Sequence, residues 1–108
     1  MKIDIQRLRN LTTGRLHTEI VHVYQDLEVI TGERGLMTHM LPNLSRAIEP
    51  WLRSHVPDAR FWQDEYDITH IGEFELPEPT NEDRKAMVDR YFELPNPLLG
   101  IATVVMTT

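Results

Sequence analysis

The chain of 108 residues contains no cysteine. That excludes a disulfide framework, thiolate metal sites and a cysteine nucleophile. The composition suits a reducing compartment. Serine is almost as scarce, with only Ser45 and Ser54. Ser54 adjoins His55, so on a helix the two side chains diverge, and no Gly-x-Ser-x-Gly elbow is present. The glycines at 14, 32, 35, 72 and 100 are scattered, and none builds a phosphate-cradling loop with a lysine. No apolar run approaches the roughly 20 residues of a membrane span. The longest, near Ile101 to Met106, is far shorter. Residues 1–10 mix Lys2, Asp4, Arg7 and Arg9 among their apolar positions, which is not the pattern of a signal peptide.

Bases are missing from one long stretch. Between Arg60 and Arg84 stand Asp64, Glu65, Asp67, Glu73, Glu75, Glu78, Glu82 and Asp83, with no lysine or arginine among them. The formal charge of the chain is −6, and residues 57–94 carry −7 of it, from 11 acids and 4 bases. A one-sided field attracts basic surfaces and repels nucleic acid and anionic lipid. Direct nucleic-acid binding and membrane binding are therefore not expected. The apolar fraction of 41% and charged fraction of 26% are those of an ordinary soluble domain, and the length fits a single domain over residues 1–108.

Periodicity points to helices. In residues 1–11, Ile3 and Ile5 alternate as in a strand, while Ile5, Leu8 and Leu11 recur as in a helix; a short helix from about Asp4 is favoured. From Arg15 to Thr31, Leu16, Ile20, Val23, Tyr24, Leu27 and Ile30 form one apolar stripe, with Gly32 placed to cap it. Thr38 is the expected N-cap of a second helix ending near His55, with Pro42 in its first turn and a buried face of Met40, Leu44, Ile48, Trp51, Leu52 and Val56. Pro50 predicts a kink or an early end, because it crowds the carbonyl of Arg46 and lacks the N–H to bond it. Alternation over residues 71–76 suggests a short strand or an extended loop. Thr80 to Asp83 reads as the start of a third helix, with Met87, Val88, Tyr91 and Phe92 on its apolar face. Leu98–Thr108 is apolar and β-branched and could equally form a final strand or a loosely held end. The expected fold is mainly α: a helical hairpin over about 15–56, an acidic connector over 57–79, a third helix, and room for one short strand pair.

Five histidines raise the question of a metal. His17 and His22 are five apart and point about 140° away from each other on a helix, whereas ligands share a face at i, i+3 or i, i+4. His22 with Asp26 has that spacing, but one such pair reads more simply as surface charges. No metal or cofactor is expected. Acids on a solvated loop keep ordinary pKa values and do little catalysis, so no enzyme is expected either. Arg7, Arg9 and Arg15 form the one small basic cluster, read as solvated arginines near a turn.

The connector has two readings. It is a solvated loop that keeps the domain soluble, or it is a docking surface for a basic cleft. Phe61, Trp62 and Tyr66 beside Asp64, Glu65, Asp67, Glu73 and Glu75 favour docking, since aromatics among charges are typical of interface hot spots. The same rings could instead pin the connector to the helices.

Several stretches together resemble a known family: Leu11-Thr12-Thr13-Gly14-Arg15-Leu16-His17-Thr18-Glu19, Thr38-His39-Met40-Leu41-Pro42, Glu49-Pro50-Trp51-Leu52-Arg53, Ala59-Arg60-Phe61-Trp62 and Pro95-Asn96-Pro97-Leu98. They resemble small proteins of unknown function encoded by bacteriophages and prophages, over roughly residues 1–100. The chain departs from that pattern at Ile101–Thr108, which extends the tail. The resemblance brings no catalytic residues. It implies a protein of the host-cell cytoplasm that binds a host protein with a basic, nucleic-acid-handling surface and blocks it, as anti-CRISPR and anti-restriction proteins do. A self-assembling structural or accessory protein, a homodimer for example, is the second expectation. A metal-dependent enzyme using His22 and Asp26 is the third.

Overall fold

The computed structural model describes residues 1–95. The Leu98–Thr108 tail, read from sequence as either a final strand or a loosely held end, lies outside the described residues. Both signals at the N-terminus are used in turn: Lys2–Asp4 is strand β1 and Ile5–Thr13 is helix α1. Asp4 makes the switch, its carboxylate accepting the Arg7 amide hydrogen at 3.1 Å as an N-cap. Gly14, at φ 71°, ends α1 in the left-handed region that a side chain would resist.

The next helix is shorter than its apolar stripe predicts. Helix α2 spans Ile20–Thr31, not 15–31. The buried Asn10 side chain explains the difference. Its oxygen accepts the amide hydrogens of His17 and Thr18 at 2.7 and 3.2 Å, and its amide donates to the Thr18 hydroxyl at 2.7 Å. Residues 14–19 wrap around that side chain instead of coiling, which leaves Leu16 exposed. At the other end Gly32 caps as expected, its amide donating to the Glu28 carbonyl at 2.9 Å.

A 3₁₀ turn, Thr38–Met40, leads into helix α3, Leu41–His55, so Thr38 opens the turn and Met40 holds the N-cap position. Pro50 neither ends α3 nor leaves its carbonyl stranded. The Arg46 carbonyl accepts from Arg90 Nε at 3.2 Å, from a helix packed alongside. Leu44, Ile48, Trp51, Leu52 and Val56 are buried as the pattern predicts, and Met40 only partly.

Strand β2, Glu73–Glu75, pairs antiparallel with β1, placing Lys2 opposite Glu75, Ile3 opposite Phe74 and Asp4 opposite Glu73. Helix α4 spans Asn81–Glu93. Thr80 and Asp83 form a reciprocal capping box, at 3.0 and 2.9 Å. Met87 is buried, while Phe92 points to solvent. The fold is mainly α, with four helices and one two-stranded antiparallel sheet among the described residues. Helices α2, α3 and α4 pack on one another, and α1 packs on α2, on α3 and on the segment after α3. One apolar core runs through Leu8, Leu27, Ile30, Ile48, Leu52, Phe61, Leu76 and Met87.

Candidate functional site: a clamped acidic connector

Between α3 and β2 the chain has little regular structure of its own. It opens with a 3₁₀ turn, Ala59–Trp62, capped by Asp58, which accepts the Arg60 amide hydrogen at 3.0 Å. A segment of this kind must find partners for its carbonyls elsewhere. Helix α1 supplies them from one face. Arg9 donates to the carbonyls of Arg60 at 2.7 Å, Glu65 at 2.5 Å and Gln63 at 3.3 Å. Gln6 donates to the carbonyls of Asp67 and His70 at 2.8 and 2.7 Å. The Thr12 hydroxyl donates to the Phe61 carbonyl. The connector is therefore fixed, although it is neither helix nor strand.

Arg9 is 0% exposed, yet among the described residues no carboxylate pairs with it. Its charge is met by carbonyl dipoles and by His70 Nδ1, 3.0 Å from its Nη1. A guanidinium can only donate, so Nδ1 must accept, and the proton of the neutral ring is assigned to Nε2. Burial first, then the nearby Arg60 and Arg9 charges, holds the His70 pKa below its ordinary value. His17 is lowered in the same way, by burial and then by Arg9. Its ring stacks on Tyr66, with centroids 5.5 Å apart and planes 7° from parallel.

The acids meet different fates. Asp64 pairs with Arg15 at 2.8 Å. Asp67 bonds the Thr69 hydroxyl and the Arg60 guanidinium, and those hydrogen bonds, Thr69's first, hold its carboxyl well below the usual range. Glu75 lies 3.4 Å from the N-terminal ammonium, and Asp83 is spent on the α4 cap. Glu65 and Glu73 are exposed and without an ion-pair partner among the described residues. The acidic run is thus partly internal wiring, and only some of it faces outward as free charge.

The three aromatic rings also separate. Phe61, 2% exposed, packs edge-on to Phe74 at 5.2 Å and tilts against His70 at 4.4 Å. It pins the connector from inside, which corrects the expectation that this ring lies on a docking surface. Trp62 is half-buried, donating from Nε1 to the Val56 carbonyl at 2.8 Å beneath the Arg53 guanidinium, 4.0 Å above its ring. Tyr66 alone of the three is fully presented, at 66% exposure. Two further apolar side chains join it that the sequence reading passed over: Ile68 at 67% and Ile71 at 68%. Their signal was present in the sequence, as large aliphatics at Ile68, among acids, and at Ile71, the first residue of the alternating 71–76 segment.

The basic cluster resolves into three separate roles: the reading as solvated arginines holds for Arg15, whose side chain is 69% exposed, and is corrected for Arg9, which is buried. Arg7 pairs with Asp26 at 2.6 Å, Arg9 is the clamp, and Arg15 meets Asp64. With Asp26 taken by Arg7, His22 turns to the Thr18 hydroxyl at 2.8 Å, so the His22–Asp26 pair does not form. No group of three or more His, Asp or Glu side chains is placed to hold a metal among the described residues. An open cleft of about 440 Å³ lies between the end of α1, the 14–19 turn and α3. Ser45 lines it, with no histidine beside it among the lining residues. No helix of the described residues is long and apolar enough to cross a membrane.

Residues 4–62 match the model of a protein family described as a domain of unknown function, DUF7736. That span runs from the end of β1 to the first turn of the connector and holds Gln6, Arg9 and Thr12, three of the donors that fix it. Nothing among the curated proteins or the solved structures matches the chain.

Proposed function

For a chain that belongs to the DUF7736 family, a domain of unknown function, we propose a role as a non-enzymatic interaction protein of bacteriophage or prophage origin. It binds a host protein with a basic, nucleic-acid-handling surface and blocks it. The observation that carries this reading is the trio Tyr66, Ile68 and Ile71. Three large apolar side chains, each about two-thirds exposed, sit within six residues of a segment that Arg9 and Gln6 hold rigid. A loop serving only solubility gains nothing from exposing them, and a surface already ordered loses less entropy on binding. Glu65 and Glu73 border the trio with unpaired charge, which selects a basic partner by sign. The phage setting rests on the sequence resemblance alone.

The test is capture from a lysate of the host bacterium with the wild-type protein and with Tyr66→Ala, washed at low and at high salt. The reading requires a basic nucleic-acid-handling protein that is retained at low salt, released at high salt, and lost with the variant. Capture that is indifferent to both salt and Tyr66 rejects it.

A second reading, self-association, has one observation in its favour. Val21 and Val29 are exposed eight residues apart on α2, on the same side as Gln25. Sedimentation at rising concentration separates it from the first, because a monomer at all concentrations removes it.

A further inference from the structure

We infer that the buried contact between Arg9 and His70 is a latch that keeps the 63–70 surface ordered only while His70 Nδ1 carries no proton, so that mild acid releases the docking surface. This deepens the proposed function by naming a regulation of the same surface.

Arg9 Nη1 already serves the Arg60 carbonyl and uses His70 Nδ1 as its second acceptor. A proton on Nδ1 removes that acceptor and sets two cations about 3.0 Å apart, both buried. The nearby carboxylates of Asp58 and Asp67 favour the charged ring, but burial and the Arg60 and Arg9 charges outweigh them. From the 3₁₀ turn, Arg60 adds a further cation, and Asp58 is occupied with the Arg60 amide. From the connector itself, Asp67 is occupied with Arg60 and Thr69. From α1, Gln6 bonds the His70 carbonyl and not its ring. Phe61 presents an aromatic ring at 4.4 Å. The ring must leave its site to ionise, and the chain on either side of it leaves too.

What leaves is specific. Gln6 holds the His70 carbonyl, Arg9 holds Gln63 and Glu65, and Tyr66 and Ile68 lie along that stretch, with Ile71 next to its end. The sheet is held separately, by strand pairing and by the Leu76 amide bond to the Met1 carbonyl at 2.8 Å. The opening is thus confined to the connector. His17, whose protonation is also disfavoured, stacks on Tyr66 and adds to the same response.

Amide hydrogen exchange of the free protein, compared at about pH 7.5 and about pH 5 and corrected for the intrinsic rate, tests this without any partner. Protection of the Thr69, His70 and Ile71 amides, which bond the Asp67 carboxylate, the Asp67 carbonyl and the Thr69 carbonyl, is expected to fall about tenfold or more in acid, while α2 and α3 keep theirs. His70→Gln keeps an acceptor oxygen that does not titrate, and should hold protection in acid; His17→Gln should leave most of the loss in place. Ring nitrogen NMR of the wild type gives an answer even if His70→Gln fails to fold, since Nδ1 must appear unprotonated at neutral pH. A protonated Nδ1 there, equal protection at both pH values, or the same acid loss in His70→Gln overturns the latch. Failure of the latch leaves the docking reading standing, and failure to capture a partner leaves the latch standing.

Discussion

Replacing Arg9 by methionine would keep much of the side chain's length and remove every donor it carries. Three carbonyls and one imidazole nitrogen would then lack their partner. Each buried group left unpaired costs about 1–3 kcal/mol, and some carbonyls regain water as the connector loosens. A net loss of about 3 kcal/mol is expected, read as a lower urea midpoint. The two histidines add a pH dependence with a definite sign. Both have folded pKa values below the ordinary 6.5, so the unfolded chain takes up protons first. Their contribution to stability is complete above pH 6.5 and is lost as pH falls from there through the folded values. Asp67 acts lower on the scale. Its contribution is present above its ordinary 3.8 and disappears as pH drops further, towards its depressed folded value. Urea midpoints between about pH 8 and pH 3 should therefore fall in two stages, and His70→Gln should shrink only the upper one.

Helices α3 and α4 share a repair. Pro50 removes the donor that the Arg46 carbonyl expects, and Arg90 of α4 replaces it at 3.2 Å. Arg90→Ala should cost roughly 0.5–1.5 kcal/mol in the native background and less in Pro50→Ala, where the helix supplies its own N–H. A double-mutant cycle measures that coupling, and simple additivity would show that Arg90 does not stand in for the missing N–H. Thr80→Ala should cost α4 about 1 kcal/mol by thermal or urea unfolding, because the capping box is lost. Much at this scale was legible in the sequence. The Gly32 cap, the Thr80 start, the strand at Glu73–Glu75 and the buried face of α3 all follow from local patterns. What escaped depends on distant partners. Asn10 halts the helix expected from Arg15 by binding amides seven and eight residues on. The Arg46 carbonyl, which Pro50 leaves without its helical donor, is served from another helix. The connector reads from sequence as a solvated acidic loop or a docking surface, with no sign of the clamp, because its donors lie 49 to 64 residues upstream. Of the residues expected at the site, Tyr66, Glu65 and Glu73 face outward, Phe61 is core, and Asp64, Asp67 and Glu75 are tied to cations.

For the molecule as a whole, the imbalance of charge predicts how a complex would respond to its medium. Exposed charges are screened over about 8 Å at physiological ionic strength. Affinity for a basic partner should therefore fall steadily with salt, while Tyr66→Ala should weaken it about tenfold or more at any salt. Glu65→Gln should cost less than Tyr66→Ala, since a single rim charge is worth little. Titration calorimetry at two salt concentrations distinguishes these contributions, and a tyrosine variant with unchanged affinity would move the interface elsewhere. The clamp has one more consequence, for the order in which the chain takes shape. Arg9 and its carbonyl acceptors are separated by 51 to 56 residues, and Gln6 and the His70 carbonyl by 64. Closing so large a loop is entropically costly and must wait until the closing contacts exist. On the ribosome, α1 emerges first and its arginine has nothing to hold until the connector follows. The surface that would meet a partner is then among the last parts to form, and a nascent chain halted short of residue 60 carries a helix with an unused charge and no docking face at all.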